Sequence, residues 1–423
     1  MKNILRKLCA GSVAAAMACS LAACAPKEGG TATPSAEPTW SAEQLPDDVA
    51  FLPENETDVA EKFLGFSKDT VLLKVNGTEV TAEDYLYWLG NMTSYYEMMM
   101  AYSGSMFNLD DPISDGGVTW DEQMKETAYQ NCILLTVAPK VAATYGVTLD
   151  ETDLEEVKSQ RQSRIDSAGS ETEYARQLQA MGISDRSAYR LDQQAALFSK
   201  VQEVYLEKVQ TEGDPESITA EEMAAYVEEE GLLRAKHILL LTQDMNTGEQ
   251  FDDARKAEQK AKAEEILAQL REDPTQFDTL MNENSEDTGL SSYPDGYLFG
   301  PGEMVSEFEE GTRALEVGAI SEIIESSYGY HIILRLDADC DESREEYAME
   351  KFNRMMDEWV TSATVEKMPE YDTFTTKDYY TPLVEFQAQL QEAVTEDQSD
   401  ASLEPLPTDA PQVDSEETPT EAE

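Results

Sequence analysis

Histidine is almost missing from this chain: 423 residues hold two, His237 and His331. Positive charge is scarce as well, with 31 Lys and Arg against 86 Asp and Glu and a formal net charge of −55. Such a surface repels phosphate backbones, and no basic stripe interrupts it, so nucleic acid is excluded as a partner. The five cysteines (Cys9, Cys19, Cys24, Cys132 and Cys340) form no CxxC pair and have no histidine-rich neighbourhood. A structural zinc site or a disulfide framework therefore has no support, and neither a metal nor another cofactor is expected. The apolar stretch near the N-terminus is too short and too rich in alanine to read as a stable membrane span.

That N-terminal stretch reads differently with its flanks. Lys2, Arg6 and Lys7 precede small and apolar residues that end in Leu21-Ala22-Ala23-Cys24. This is the layout of a cleaved export signal over residues 1–23. The last four residues resemble a bacterial lipobox, which implies lipid on Cys24 and an extracytoplasmic protein anchored to a membrane; two acyl chains suffice for firm anchoring. An ordinary signal peptide with an incidental Cys24 is the alternative. Residues 24–60 are rich in Pro, Thr, Ser, Gly and Glu and read as a flexible tether.

Beyond the tether, "VLLKVNG" (71–77) predicts a strand ending in an Asn-Gly turn, with "TEV" (78–80) returning. Helices follow. Thr81 opens one, and the pairs Thr119/Glu122, Thr148/Glu151 and Thr219/Glu222 all have capping-box spacing. Gly146, Gly169 and Gly231 mark helix ends. A compositional break at Leu232 opens a stretch of short apolar runs, one long helix (252–271) and glycine-rich turns. Helix resumes from Ser343 to about Val365. The fold class is thus α+β: a discontinuous, mainly helical domain (61–230 and 338–375) with a second module (231–337) inserted, then an acidic disordered tail (376–423). Met98, Met99, Met100 and Met106, with Tyr95, Tyr96, Tyr102 and Phe107, form a soft aromatic segment. Most of it is expected in the core, and the remainder is available as a client-binding face.

Both histidines head apolar runs, "HILLL" at 237 and "HIILRL" at 331. Alternation puts His331, Ile333 and Arg335 on one strand face, and His237, Leu239 and Leu241 on another. If the strands are antiparallel neighbours, the two imidazoles lie side by side. They can then hydrogen-bond only with complementary tautomers, which a nearby carboxylate would fix.

Four blocks surround these runs in order: "RAKHILLL" (234–241), "NSEDTG" (284–289), "DGYLFGPGEMVSEFEEGTRALEVGAISEII" (295–324) and "SSYGYHIILRL" (326–336). Together they resemble the parvulin family of peptidyl-prolyl isomerases. The resemblance implies a four-stranded antiparallel sheet with surrounding helices and a central pair formed by His237 and His331. It places Asp287 where relatives carry Cys or Asp, and Met304 and Phe308 among the residues lining the proline pocket. Phe299 is added to that wall. With the lipobox and the helical region, the chain resembles PrsA/SurA-type extracytoplasmic foldases, whose partners are unfolded secreted polypeptides containing proline.

The family's Gly-Gly-Asp-Leu-Gly turn is altered to Tyr293-Pro294-Asp295-Gly296-Tyr297-Leu298. Gly296 stands where relatives place a pocket leucine, so Leu298 is expected to fill the gap by a shift of the loop. Asn284 replaces the usual aromatic. No Lys or Arg lies in the 242–250 loop, so recognition of phosphoserine- or phosphothreonine-proline is not expected. Three functions compete at this level: a prolyl isomerase with His237, Asp287 and His331 as its polar network, an ATP-independent holdase whose parvulin module only binds, and the ligand-binding lipoprotein of an importer.

Overall fold

A computed structural model describes residues 45–46, 48–114, 117–245 and 247–401. The export signal, Cys24 and the final residues of the acidic tail lie outside them. The chain divides into two compact units, one formed by residues 1–200 with 359–423 and the other by residues 201–358.

In the first unit, β1 (Val71–Val75) and β2 (Thr78–Thr81) pair through a tight hairpin. Asn76 (φ 51°) and Gly77 (φ 88°) both take the left-handed conformation that a two-residue primed turn requires. Helix α1 (Val59–Leu64) precedes the hairpin; α2 (Ala82–Tyr102), α3 (Trp120–Thr144), α4 (Glu151–Ala168), α5 (Glu171–Met181) and the part of α6 (Asp185–Gln210) up to residue 200 follow it. Thr81 accepts a hydrogen bond from the Asp84 N–H, and Thr119 with Glu122 forms a full capping box. The core gathers Leu72, Leu73, Val75, Tyr85, Leu86, Leu89, Met124 and Ile133.

Several expectations are corrected in this unit. Helix α4 is capped by Asp150 with Asp153, not by Thr148 with Glu151, because the Asp150 carboxylate can take both the Thr152 and Asp153 N–H groups. The tether stops short of residue 60. Leu52 N–H donates to Asp185, Asn55 donates to the Ile183 carbonyl, and Phe51 packs edge-on against Tyr189, so residues 50–55 are bound down. The tail begins later than 376. Thr376–Ala401 is helical, and Tyr379, Tyr380, Leu383 and Phe386 are buried at helical spacing, which outweighs the polar composition around Pro382. The soft aromatic segment stays out of the core: Met98, Met99, Tyr102 and Met106 are exposed, Tyr102 at 93% and Met106 at 90%, and Tyr95, Tyr96, Met100 and Phe107 are half-buried. A strand that the sequence did not announce, β7 (Val365–Lys367), joins the other edge of β1 and makes the order β2-β1-β7.

The second unit carries a four-stranded sheet, order β4-β3-β6-β5, antiparallel throughout. Its strands are β3 (Leu233–Leu241), β4 (Tyr297–Phe299), β5 (Ile324–Glu325) and β6 (Gly329–Leu336). Ile238 and Leu240 of β3, with Tyr330 and Ile332 of β6, pack against α8 (Asp253–Glu272) and α9 (Phe277–Asn284) through Ile266, Leu270, Phe277 and Leu280. The opposite face collects Leu233, Ala235 and Ile333 with Phe299 of β4 and Phe308 of α10 (Ser306–Arg313). Alternation along β3 and β6 separates these two clusters, as a period of two requires. Helix α7 (Ala220–Glu230), with its Thr219/Glu222 capping box and the Gly231 stop, also falls in this unit, as does most of α11 (Asp341–Ser362). Helix α11 starts ahead of Ser343, whose hydroxyl instead binds the Ala338 carbonyl within the turn that leads into it.

Candidate active site

The long β3–β6 ladder builds the site. His237 lies opposite Ile333, and Leu239 opposite His331. The histidines are therefore diagonal neighbours on one face, a separation that aromatic side chains can span. Their rings stack with centroids 5.3 Å apart and planes 11° from parallel. The two Nδ1 atoms are 3.1 Å apart, and both residues are buried, at 9% and 3% exposure.

Asp287 is held by the segment that follows α9. Glu286 N–H donates to the Leu239 carbonyl, Leu239 N–H to the Ser285 hydroxyl, and Leu241 N–H to the Glu286 carboxylate. These bonds to β3 bring Asp287 Oδ2 to 3.0 Å from His237 Nε2. On the far side, Ser326 Oγ lies 2.7 Å from His331 Nε2.

One set of proton positions satisfies the whole row. Asp287 can only accept, so His237 donates from Nε2 and presents a lone pair at Nδ1. His331 then donates from Nδ1 and presents a lone pair at Nε2, which takes the Ser326 O–H. Ser326 in turn accepts the Tyr328 N–H, 3.2 Å away. Burial and the neighbouring His237 together push His331 down to about 3, against the opposing pull of Asp287. Burial alone would raise the Asp287 carboxyl. Hydrogen bonds from His237, Tyr297 and the Gly289 N–H outweigh it and bring the group down to about 2. Near neutral pH the row therefore holds an uncharged His331 and an ionised Asp287.

Apolar groups close over the imidazoles. Phe308 meets His237 edge-on at 5.0 Å and His331 at 5.5 Å, with Phe299 5.7 Å behind it. Met304 is partly buried against the same cluster. Leu298 does not join them. It pairs with Arg234 in the β3–β4 register, while Tyr297 and Phe299 pair with Ala235 and Leu233. Alternation therefore turns Leu298 to the other face and gives its expected place to Tyr297. No leucine fits at 296 either: Gly296 has φ +95°, and a Cβ there would sit 2.8 Å from the Ala235 carbonyl oxygen. The sequence reading also missed Ser326. The signal for Tyr297 was its spacing, two residues before Phe299 on a strand. Ser326 lies in a tight turn that the alternation pattern does not reach.

Residues 237–337 match the rotamase family model, described as the PPIC-type PPIase domain. The foldase protein PrsA of Staphylococcus aureus (strain Newman) is 30% identical over 148 residues, covering 33% of this chain and 44% of that protein. The chain thus matches less than half the length of that curated relative. Among solved structures, PrsA from Bacillus subtilis shares 22% identity at a TM-score of 0.24, over 60% of this chain and 91% of that one. Peptidyl-prolyl isomerase ESS1 from Candida albicans shares 20% at 0.23, over 33% and 76%.

Proposed function

We propose that the parvulin domain of residues 237–337, which is homologous to that of PrsA foldases, makes this protein a peptidyl-prolyl cis-trans isomerase. Its clients would be secreted polypeptides that fold outside the cytoplasm, and lipid on Cys24 would hold it at the membrane. The stacked pair of His237 and His331 under Phe308 carries this reading.

The chemistry asked of the site is modest. Rotating an X–Pro bond requires loss of amide resonance, for a barrier of about 18–20 kcal/mol in a peptide. Uncatalysed X–Pro exchange takes roughly tens to hundreds of seconds. A thousandfold acceleration needs about 4 kcal/mol of differential stabilisation. The planar amide is more charge-separated than the twisted one. A dry wall of Phe308, Phe299 and Met304 beside an uncharged His331 therefore favours the twisted form. The ionised Asp287 adds to this by disfavouring negative charge on the amide oxygen. No bond is broken, so Asp287 has no need to act as a nucleophile.

A proline-containing test peptide decides the matter. The full chain should accelerate its isomerisation, and His237→Ala should remove most of that acceleration; an inert wild type would overturn the assignment. Exposure of Met98, Met99, Tyr102 and Met106 in the first unit favours a second, compatible reading, in which soft apolar side chains hold unfolded clients without catalysis. Suppression of client aggregation by the His237→Ala variant would isolate that role.

A further inference from the structure

We propose that Tyr297 is a positioning residue of this site, its hydroxyl clamping Asp287 against His237 and its ring supplying the wall that the altered turn would otherwise lack. This builds on the isomerase reading above.

Tyr297 Oη donates to Asp287 Oδ2 at 2.6 Å, and the same oxygen accepts from His237 Nε2 at 3.0 Å. Gly289 N–H takes the other carboxylate oxygen at 3.0 Å. Three donors leave the carboxylate no freedom to rotate away from the imidazole. The phenol ring stands edge-on to His237, with centroids 5.8 Å apart and an interplanar angle of 82°. Tyr293 braces its other side at 4.7 Å.

The surroundings make room for this phenol. A Cβ on Gly289 would lie 2.2 Å from Tyr297 Oη, so a side chain at 289 would displace it. The backbone at Gly296, with φ +95°, carries the chain into β4 so that Tyr297 lands opposite Ala235, two residues before His237 on the same face. The turn that lacks a pocket leucine thus delivers a larger side chain with a polar tip.

The titratable groups facing Asp287 are His237 from β3 and Tyr297 from β4, with His331 of β6 one ring further and Tyr293 behind Tyr297. Glu286, next in the chain, is engaged elsewhere, by Leu241 N–H and Gln259. Removing one donor from the carboxylate should raise its proton affinity and loosen the tautomer order of both histidines.

The test combines carbon-13 titration of the Asp287 carboxyl with isomerisation kinetics on the full chain. Tyr297→Phe, which keeps the ring, should raise the proton affinity of Asp287 by ~10-fold. It should lower kcat by a similar factor while KM stays within about twofold. Tyr297→Leu should also raise KM, because the wall is lost. Reciprocally, Asp287→Asn should bring the phenol of Tyr297 down from its position above the ordinary tyrosine range, a reading that does not depend on the Phe variant folding. An unchanged Asp287 titration in Tyr297→Phe, or an unchanged Tyr297 in Asp287→Asn, overturns the proposal. The titrations need no turnover. An inert wild type with shifted titrations would therefore sink the isomerase reading and leave the clamp standing.

Discussion

His237 and His331 face each other through Nδ1 atoms 3.1 Å apart, so in their neutral forms one must donate and the other accept. Asp287 decides which. Its carboxylate accepts from His237 Nε2 and thereby orders a row that ends at the hydroxyl of Ser326. The site is thus a set of interlocked proton positions beneath an aromatic lid, and its behaviour follows from that order.

Removing His237 breaks the row at its centre. His237→Ala leaves the His331 N–H and the Asp287 carboxylate without their partner, a change expected to cost about 2–4 kcal/mol of stability in addition to activity. Urea unfolding of the full chain followed by circular dichroism measures the first effect, and the peptide assay the second. A variant as stable as wild type would show that the row is not a coupled unit.

Stability should fall with acid in a defined window. His331 titrates near 3 in the fold against an ordinary value of about 6.5, so the unfolded chain binds the extra proton first. Its contribution is complete above about 6.5 and is lost as pH falls toward about 3. Asp287, lowered to about 2, contributes above its ordinary value near 4, and that part is lost below it as pH falls through about 2. The melting temperature should drop progressively from pH 6.5 to 3, and His331→Gln should flatten that slope. An unchanged slope in the variant would contradict a buried neutral imidazole.

Phe308 is the lid. Its truncation to Ala removes a buried ring that touches both histidines and Phe299, and is expected to cost about 3–5 kcal/mol. KM for a proline peptide should rise if the ring lines the bound pyrrolidine. Phe308→Leu, closer in volume, should retain most stability, and comparing the two variants separates packing from binding.

Placing a leucine at position 296 should harm this protein. Gly296→Leu forces a side chain onto a left-handed backbone and into the Ala235 carbonyl, with an expected loss of about 1–3 kcal/mol or more. Thermal melts of the full chain check this. A gain in stability would mean that the turn can rearrange.

The first unit offers an independent check. Arg161 binds Asp185 through two nitrogens and also reaches the Ala50 carbonyl. Arg161→Ala should strand a buried carboxylate at a cost of about 3–5 kcal/mol. It should also release residues 50–55, which limited proteolysis would detect.

Much of the site was legible in the chain. Period-two alternation put each histidine on a definite strand face, and the ordered blocks around them brought Asp287, Phe308 and Met304 into one neighbourhood. The errors had separate causes. Leu298 was placed by proximity to a gap, whereas strand register assigns faces residue by residue, and a one-residue difference exchanged Leu298 for Tyr297. Residues after 376 were read from composition, although a few aromatic side chains at helical spacing were enough to bind Thr376–Ala401 as a helix.

Local physics is written in the sequence: caps such as Thr119 with Glu122, the left-handed Asn76-Gly77 turn, and the alternation that separates Ile332 from Ile333. Only the tertiary structure decided that Tyr297 and Ser326 complete the histidine row, that Val365–Lys367 pairs with β1, and that Met98 and Met99 of α2 face solvent while Met92 is buried. Those outcomes depend on which distant segments meet and in what register. Hydrogen bonds between residues far apart in the chain set both, and no local pattern encodes them.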